Sequence, residues 1–122
     1  MPLEAKSVEL LTAQGILSKF EKDALIKLIS DLKASWSGAK FKLFGSKIKG
    51  TADEESDLDL LIILPCDVLE DIRRKIIHKV FDINLAFGTN ISVLIVSEKE
   101  WNSDIFSLLP IHSFIEEEGA PL

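Results

Sequence analysis

The chain has 122 residues, with 14 basic and 20 acidic side chains and a net charge of -6. That is one domain's worth of chain, and 47% hydrophobic against 28% charged residues excludes extended disorder. The surplus of acids excludes general, counterion-driven binding of DNA or RNA, although one local basic site is compatible with it.

In chain order, Ser7–Ala13 reads as a short helix, with Val8, Leu10 and Leu11 available to pack. Ser18 and Glu21 have capping-box spacing, and Ala24, Leu25, Leu28 and Leu32 then follow helical intervals, predicting a helix over 19–34. Phe41 to Phe44 reads as a strand with Phe41 and Leu43 on one face, and Gly45 and Gly50 punctuate the segment after it. Leu58–Leu64 (LDLLIIL) predicts a central strand buried on both faces, stopped by Pro65. Asp67 and Glu70 repeat the capping-box spacing before Leu69, Ile72, Ile76 and Val80, predicting a helix from Asp67 to about Phe81. Gly88-Thr89-Asn90 is a turn, Ile91–Val96 a third strand, Glu98–Trp101 a helical turn, and 103–117 partly helical around Pro110.

This order predicts an α/β (α+β) fold, a small mixed β-sheet with helices packed on one face. We expect a single domain over 1–122, in which about 1–17 form an N-terminal extension or short helix and about 116–122 a mobile tail. The only cysteine, Cys66, excludes an intramolecular disulfide and a cysteine-built zinc site. No signal-peptide pattern opens the chain, and the apolar run from Leu60 to Pro65 is too short for a bilayer, so a cytoplasmic protein without membrane association is expected.

The chemistry concentrates in FGSKIKGTADEESDLDLL. Asp57 and Asp59 stand two apart at a strand entrance, so both project from one face, while Leu58 and Leu60 point to the other. Two adjacent carboxylates repel each other and invite a cation, and oxygen donors of this kind suit Mg²⁺ completed by substrate phosphates. Gly45 lets the backbone approach a ligand, Ser46 adds a hydroxyl, and free N–H groups at a turn after Ser46 would face an anion. Lys47 and Lys49 add positive charge, or are ordinary surface lysines. A triphosphate held between donor backbone and metal is what transfer of a nucleotidyl group requires.

Gly45-Ser46, Gly50, Ser56 and Asp57-Leu58-Asp59 form a Gly-Ser, ten residues, Asp-x-Asp pattern. In this pattern the chain resembles the DNA polymerase β-like nucleotidyltransferases, in particular the minimal nucleotidyltransferases. The likeness extends to the helix from Asp67, the strand near Ile91, Glu98–Trp101, and Ile115, Glu118 and Gly119. It implies the nucleotidyltransferase fold. It also implies metal coordination and catalysis by Asp57 and Asp59, and nucleotide or phosphate binding by Gly45, Ser46, Lys47, Lys49, Gly50 and Ser56. The substrate it implies is ATP or another NTP with Mg²⁺, donating NMP to an acceptor hydroxyl. It further implies a protein acceptor, since small members pair with all-helical HEPN-type partners as antitoxins of toxin–antitoxin modules. A homo-oligomer is compatible with the resemblance, and Phe81, Phe87 and Phe106 are candidates for an apolar contact patch.

One position departs from the family. Active members usually carry a third carboxylate on the third strand, where this chain has Ser92 within Ile91-Ser92-Val93-Leu94. A serine is not ionised near pH 7, and loss of a general base removes roughly 10²–10⁴-fold in rate. The alternative function is therefore a nucleotide- or partner-binding module without transfer. Elsewhere the residues support simpler readings. His78 and His112 lack partners at ligand spacing, and Cys66 reads as a semi-buried structural thiol. Trp36 and Trp101 read as packing residues, with stacking on adenine or an interface as the other option. Glu116-Glu117-Glu118 read as a solvated helix end.

Overall fold

The apolar run LDLLIIL forms β2 (Leu58–Leu64), the strand around which the fold is built. In this computed structural model, which describes residues 3–45 and 57–122, β2 pairs antiparallel with β1 (Lys40–Phe44) and parallel with β3 (Ile91–Ser97). A short β4 (Ala120–Pro121) pairs antiparallel with the free side of β1, giving the order β3-β2-β1-β4. The sheet is mixed, as expected, and its parallel pair requires a crossover, which α3 (Glu70–Phe87) supplies.

Alternation along the strands sorts the two faces. Leu58, Leu60, Ile62 and Leu64 point with Phe41, Leu43, Ile91 and Ile95 into the main core, which α1 (Leu3–Ala13), α2 (Lys19–Ser35) and α3 cover. Burying a Leu or Ile side chain is worth about 1.5–3 kcal/mol, so β2 alone anchors much of the fold. The other face carries Lys42 and Phe44, Asp59, Leu61 and Ile63, and Ser92, Leu94 and Val96. One end of it is closed by a second, smaller core in which Trp101 and Ile115 pack on Leu61, Ile63 and Val96. These come from the short helices α4 (Glu98–Trp101) and α6 (Pro110–Glu118), joined through α5 (Asp104–Ser107). The long helices thus occupy one face as predicted, and the short C-terminal helices add a partial layer to the opposite face.

Local signals explain most boundaries. Both halves of the Ser18/Glu21 capping box form at α2, and Gly15, at φ +79°, ends the chain segment after α1. The Asp67/Glu70 box does not form. The Asp67 carbonyl instead accepts from the Leu69 N–H, and α3 begins at Glu70 with Leu69 as an N-cap that makes no side-chain bond. The helix also runs six residues past Phe81, because Ile83 continues the buried Ile76–Val80 stripe and left-handed Gly88 supplies the stop. Pro110 sits in the first turn of α6, where its missing N–H has no intrahelical acceptor to lose.

Four further expectations are corrected. The segment 116–122 is not a mobile tail: α6 continues to Glu118, β4 pairs with Lys42 and Leu43, and buried Leu122 donates its N–H to the Phe41 carbonyl. Backbone pairing to a sheet edge overrides the polar composition that suggested mobility. Cys66 is exposed rather than semi-buried, since the turn after Pro65 leaves the sheet. Of the residues expected to pack in α1, Val8 and Leu11 are buried, whereas Leu10 faces solvent. In the suggested apolar patch, Phe81 is exposed, while Phe87 and Phe106 are partly buried against the two cores.

Candidate functional site

β1 ends at Phe44, and Gly45 takes φ +91°, a conformation that L side chains rarely adopt. Its missing side chain has a spatial counterpart. A Cβ built on Gly45 would collide with the Asp59 carboxylate, which occupies the space over the Gly45 backbone. Gly45 and Asp59 are brought together because Phe44 and Asp59 are register partners across the β1–β2 ladder.

Leu58 and Leu60 are fully buried in the main core, so alternation drives Asp59 onto the opposite face, and Asp57 shares its parity. Asp57 is exposed and Asp59 is half-buried. Burial pushes the Asp59 carboxyl above its ordinary range, and the neighbouring Asp57 charge adds to the rise. A divalent cation relieves both effects at once, so this donor pair fits Mg²⁺. Among the described residues no three His, Cys, Asp or Glu side chains gather as a complete protein-built metal site. A metal held here would draw further oxygen ligands from substrate or water, as Mg²⁺ commonly does.

In the parallel ladder Asp59 is the partner of Ser92, which is exposed. Asp59 therefore lies between Phe44 and Ser92, and a carboxylate at position 92 would stand one strand spacing away, about 4.8 Å. Ser46, Lys47, Lys49, Gly50 and Ser56 lie outside the described residues. The structure thus brings Gly45, Asp59 and Ser92 together with Asp57 at the start of β2.

One neighbouring group was missed in the sequence. Lys42 is the next residue on this face beyond Phe44, and its Nζ lies 3.6 Å from Glu116 Oε2. Trp101 Nε1 donates to Glu116 Oε1 at 2.7 Å, and His112 Nε2 lies 3.0 Å from the Trp101 carbonyl with the two rings 4.3 Å apart. The Trp101 hydrogen bond lowers the Glu116 pKa, the Lys42 and His112 charges lower it further, and burial opposes them. Glu116 is therefore a partnered residue rather than a freely solvated one. The available signal was a lysine alternating with Phe41 and Leu43 just before the Gly-Ser pair. Trp101 is buried, in line with its packing reading, and His112 is a half-buried boundary histidine.

Open clefts lie elsewhere among the described residues. One of about 340 Å³ is bounded by Leu32, Trp36, Lys75, His78 and Asp82 between α2 and α3. Another, about 460 Å³, is bounded by Asp67, Leu69, Ser97 and Lys99 near the carboxyl ends of β2 and β3. Asp57 and Asp59 line neither, and the chemistry of the carboxylate pair is the stronger guide to function. No helix among the described residues is long and apolar enough to cross a membrane.

Comparison with known proteins agrees with this geometry. A family model described as a nucleotidyltransferase domain matches residues 25–119, a span that contains Gly45, Asp57, Asp59 and Ser92. A protein of Methanocaldococcus jannaschii, curated under the name "Putative protein adenylyltransferase", is 31% identical over 106 residues, covering 84% of this chain and 97% of that protein. No solved structure gives a significant match. With the family model spanning the central strands and a full-length relative of the same kind, this chain belongs to the nucleotidyltransferase domain family.

Proposed function

We propose that this protein transfers AMP from ATP, with Mg²⁺, to a hydroxyl on a protein acceptor. The observation that carries this reading is the Asp59 carboxylate set over side-chain-free Gly45, with the Asp57 charge beside it. Asp57 and Asp59 would hold the metal. Gly45 and Ser46 would present backbone N–H and hydroxyl donors to the triphosphate, with Lys47, Lys49, Gly50 and Ser56 completing its surroundings. Mg²⁺ bound there supplies charge neutralisation and Lewis acidity toward phosphate oxygens. In the transfer the acceptor oxygen forms a bond to the α-phosphorus, the bond from that phosphorus to the bridging oxygen of the β-phosphate breaks, and pyrophosphate leaves. The hydroxyl proton passes to solvent, because Ser92 offers no carboxylate to take it.

A protein acceptor is favoured by two facts. The relative spanned almost end to end bears the name of a protein adenylyltransferase, and a chain of net charge -6 is ill suited to a polyanionic acceptor. A helical HEPN-type toxin is the partner class we propose. The second reading, a binding module without transfer, rests on the placement of Ser92 beside Asp59. Incubation of α-labelled ATP and Mg²⁺ with host lysate, with Asp57→Ala/Asp59→Ala in parallel, separates them. Label on protein with the wild type alone supports the transferase. Binding of Mg–ATP by calorimetry without any label supports the module.

A further inference from the structure

We infer that Lys42 is a phosphate-binding residue of this site, held in place by Glu116 until a nucleotide arrives. The inference rests on the nucleotide-binding reading above and adds a residue to it. Lys42 pairs with Leu61, so it shares the face of Asp59 and stands diagonally across the β1–β2 ladder from it. Diagonal neighbours of this kind lie about 7–8 Å apart, within the reach of a lysine side chain. Leu61 and Ile63 on the same face are buried in the smaller core, with Phe44 and Leu94 packed against it, so a cation in this row is out of keeping with its surroundings. The Lys42 side chain is only 25% exposed, with its stem on the sheet and its ammonium turned to Glu116.

The charge inventory gives the reason for such a cation. Asp57 and Asp59 already carry negative charge, and a metal-bound triphosphate brings more, so the site needs positive charge on its floor. Among the described residues this sheet face offers Lys40 and Lys42. Lys40 is a further step from Asp59 and faces Glu98 at 3.9 Å, which leaves Lys42 as the nearer of these two cations. Its ion pair with Glu116 is a loose 3.6 Å, whereas Glu116 is held on its other oxygen by Trp101 at 2.7 Å. Lys42 can therefore exchange Glu116 for a phosphate oxygen without dismantling the α6 anchor.

A purely structural tether between β1 and α6 makes a different prediction, and calorimetric titration of the full chain distinguishes the two. We expect Lys42→Met to weaken Mg–ATP binding about tenfold, and Lys42→Arg to retain most of it. Glu116→Gln, which releases Lys42, should leave Mg–ATP binding unchanged or tighter. Binding of AMP, which lacks the outer phosphates, should respond much less to Lys42→Met. A Lys42→Met protein that binds Mg–ATP within about twofold of wild type overturns the inference, as does a loss of the same sign and size in Glu116→Gln. A wild type that binds no Mg–ATP overturns the nucleotide-binding reading itself, and this inference with it.

Discussion

Gly45 and Asp59 are a matched pair, because the carboxylate sits where any other residue at 45 would place its Cβ. Gly45→Ala should lose about 1–2 kcal/mol from the positive φ alone and must also displace Asp59. Chemical denaturation reads the first effect and Mg–ATP calorimetry the second, so a variant of wild-type stability and affinity would refute the argument. Removing the Asp59 charge acts in the opposite direction. Asp59→Asn relieves a half-buried, like-charged group, so the metal-free chain should gain stability while Mg–ATP binding is lost. A lowered melting temperature would refute this. The third residue prediction concerns Ser92. Since it is the ladder partner of Asp59, Ser92→Asp supplies a carboxylate at one strand spacing. Labelling of acceptor protein should then rise by about 10²–10⁴-fold if a base is what the site lacks.

At the scale of elements, the exposed side of β3 is closed by side chains rather than by another strand. Asn84, in the last turn of α3, donates Nδ2 to the Ile91 carbonyl at 3.1 Å and accepts the Ile91 N–H at 2.9 Å on Oδ1. Thr89 donates to the same oxygen, and Arg73 reaches the Ile95 carbonyl. This is how an edge strand avoids offering its backbone to a second molecule. Asn84→Ala leaves those groups without partners and should cost about 1–3 kcal/mol, with increased self-association by light scattering. Elements differ in how visible they are in the sequence. The α2 cap and β2 were legible because their determinants are local: a serine three residues before a glutamate, and an unbroken apolar run. The start of α3 was misplaced because Asp67 has the right spacing but the wrong backbone, turning toward Leu69. The edge role of Asn84 was not visible, since its acceptor and donor come from a strand that folds back on it.

For the whole molecule, the Lys42–Glu116–Trp101 chain joins the sheet to the C-terminal helices. Glu116 has a folded pKa below its ordinary value of 4.5, first through the Trp101 hydrogen bond. Its stabilisation is therefore present above that value and fades as pH falls through it toward the lower folded pKa. The melting-temperature gap between wild type and Glu116→Gln should be open near neutral pH and close under acid. A gap that is constant with pH would show that the carboxylate charge contributes nothing.

What the sequence determined by itself was the periodic and the contiguous. It contained the central strand, the capped α2, the turn at Gly88 and the Gly-Ser…Asp-x-Asp pattern, each set by residues within a few positions of one another. Alternation already placed Asp57 and Asp59 on one side. Tertiary structure decided what they face. Antiparallel register brought Asp59 over Gly45, parallel register brought Ser92 beside it, and the return of α6 set Glu116 against Lys42. The final residues became a strand for the same reason, because an unpaired edge of β1 was there to receive them. Those pairings join segments far apart in the chain, and they arise from satisfying backbone hydrogen bonds and burying apolar faces together, which no single segment specifies.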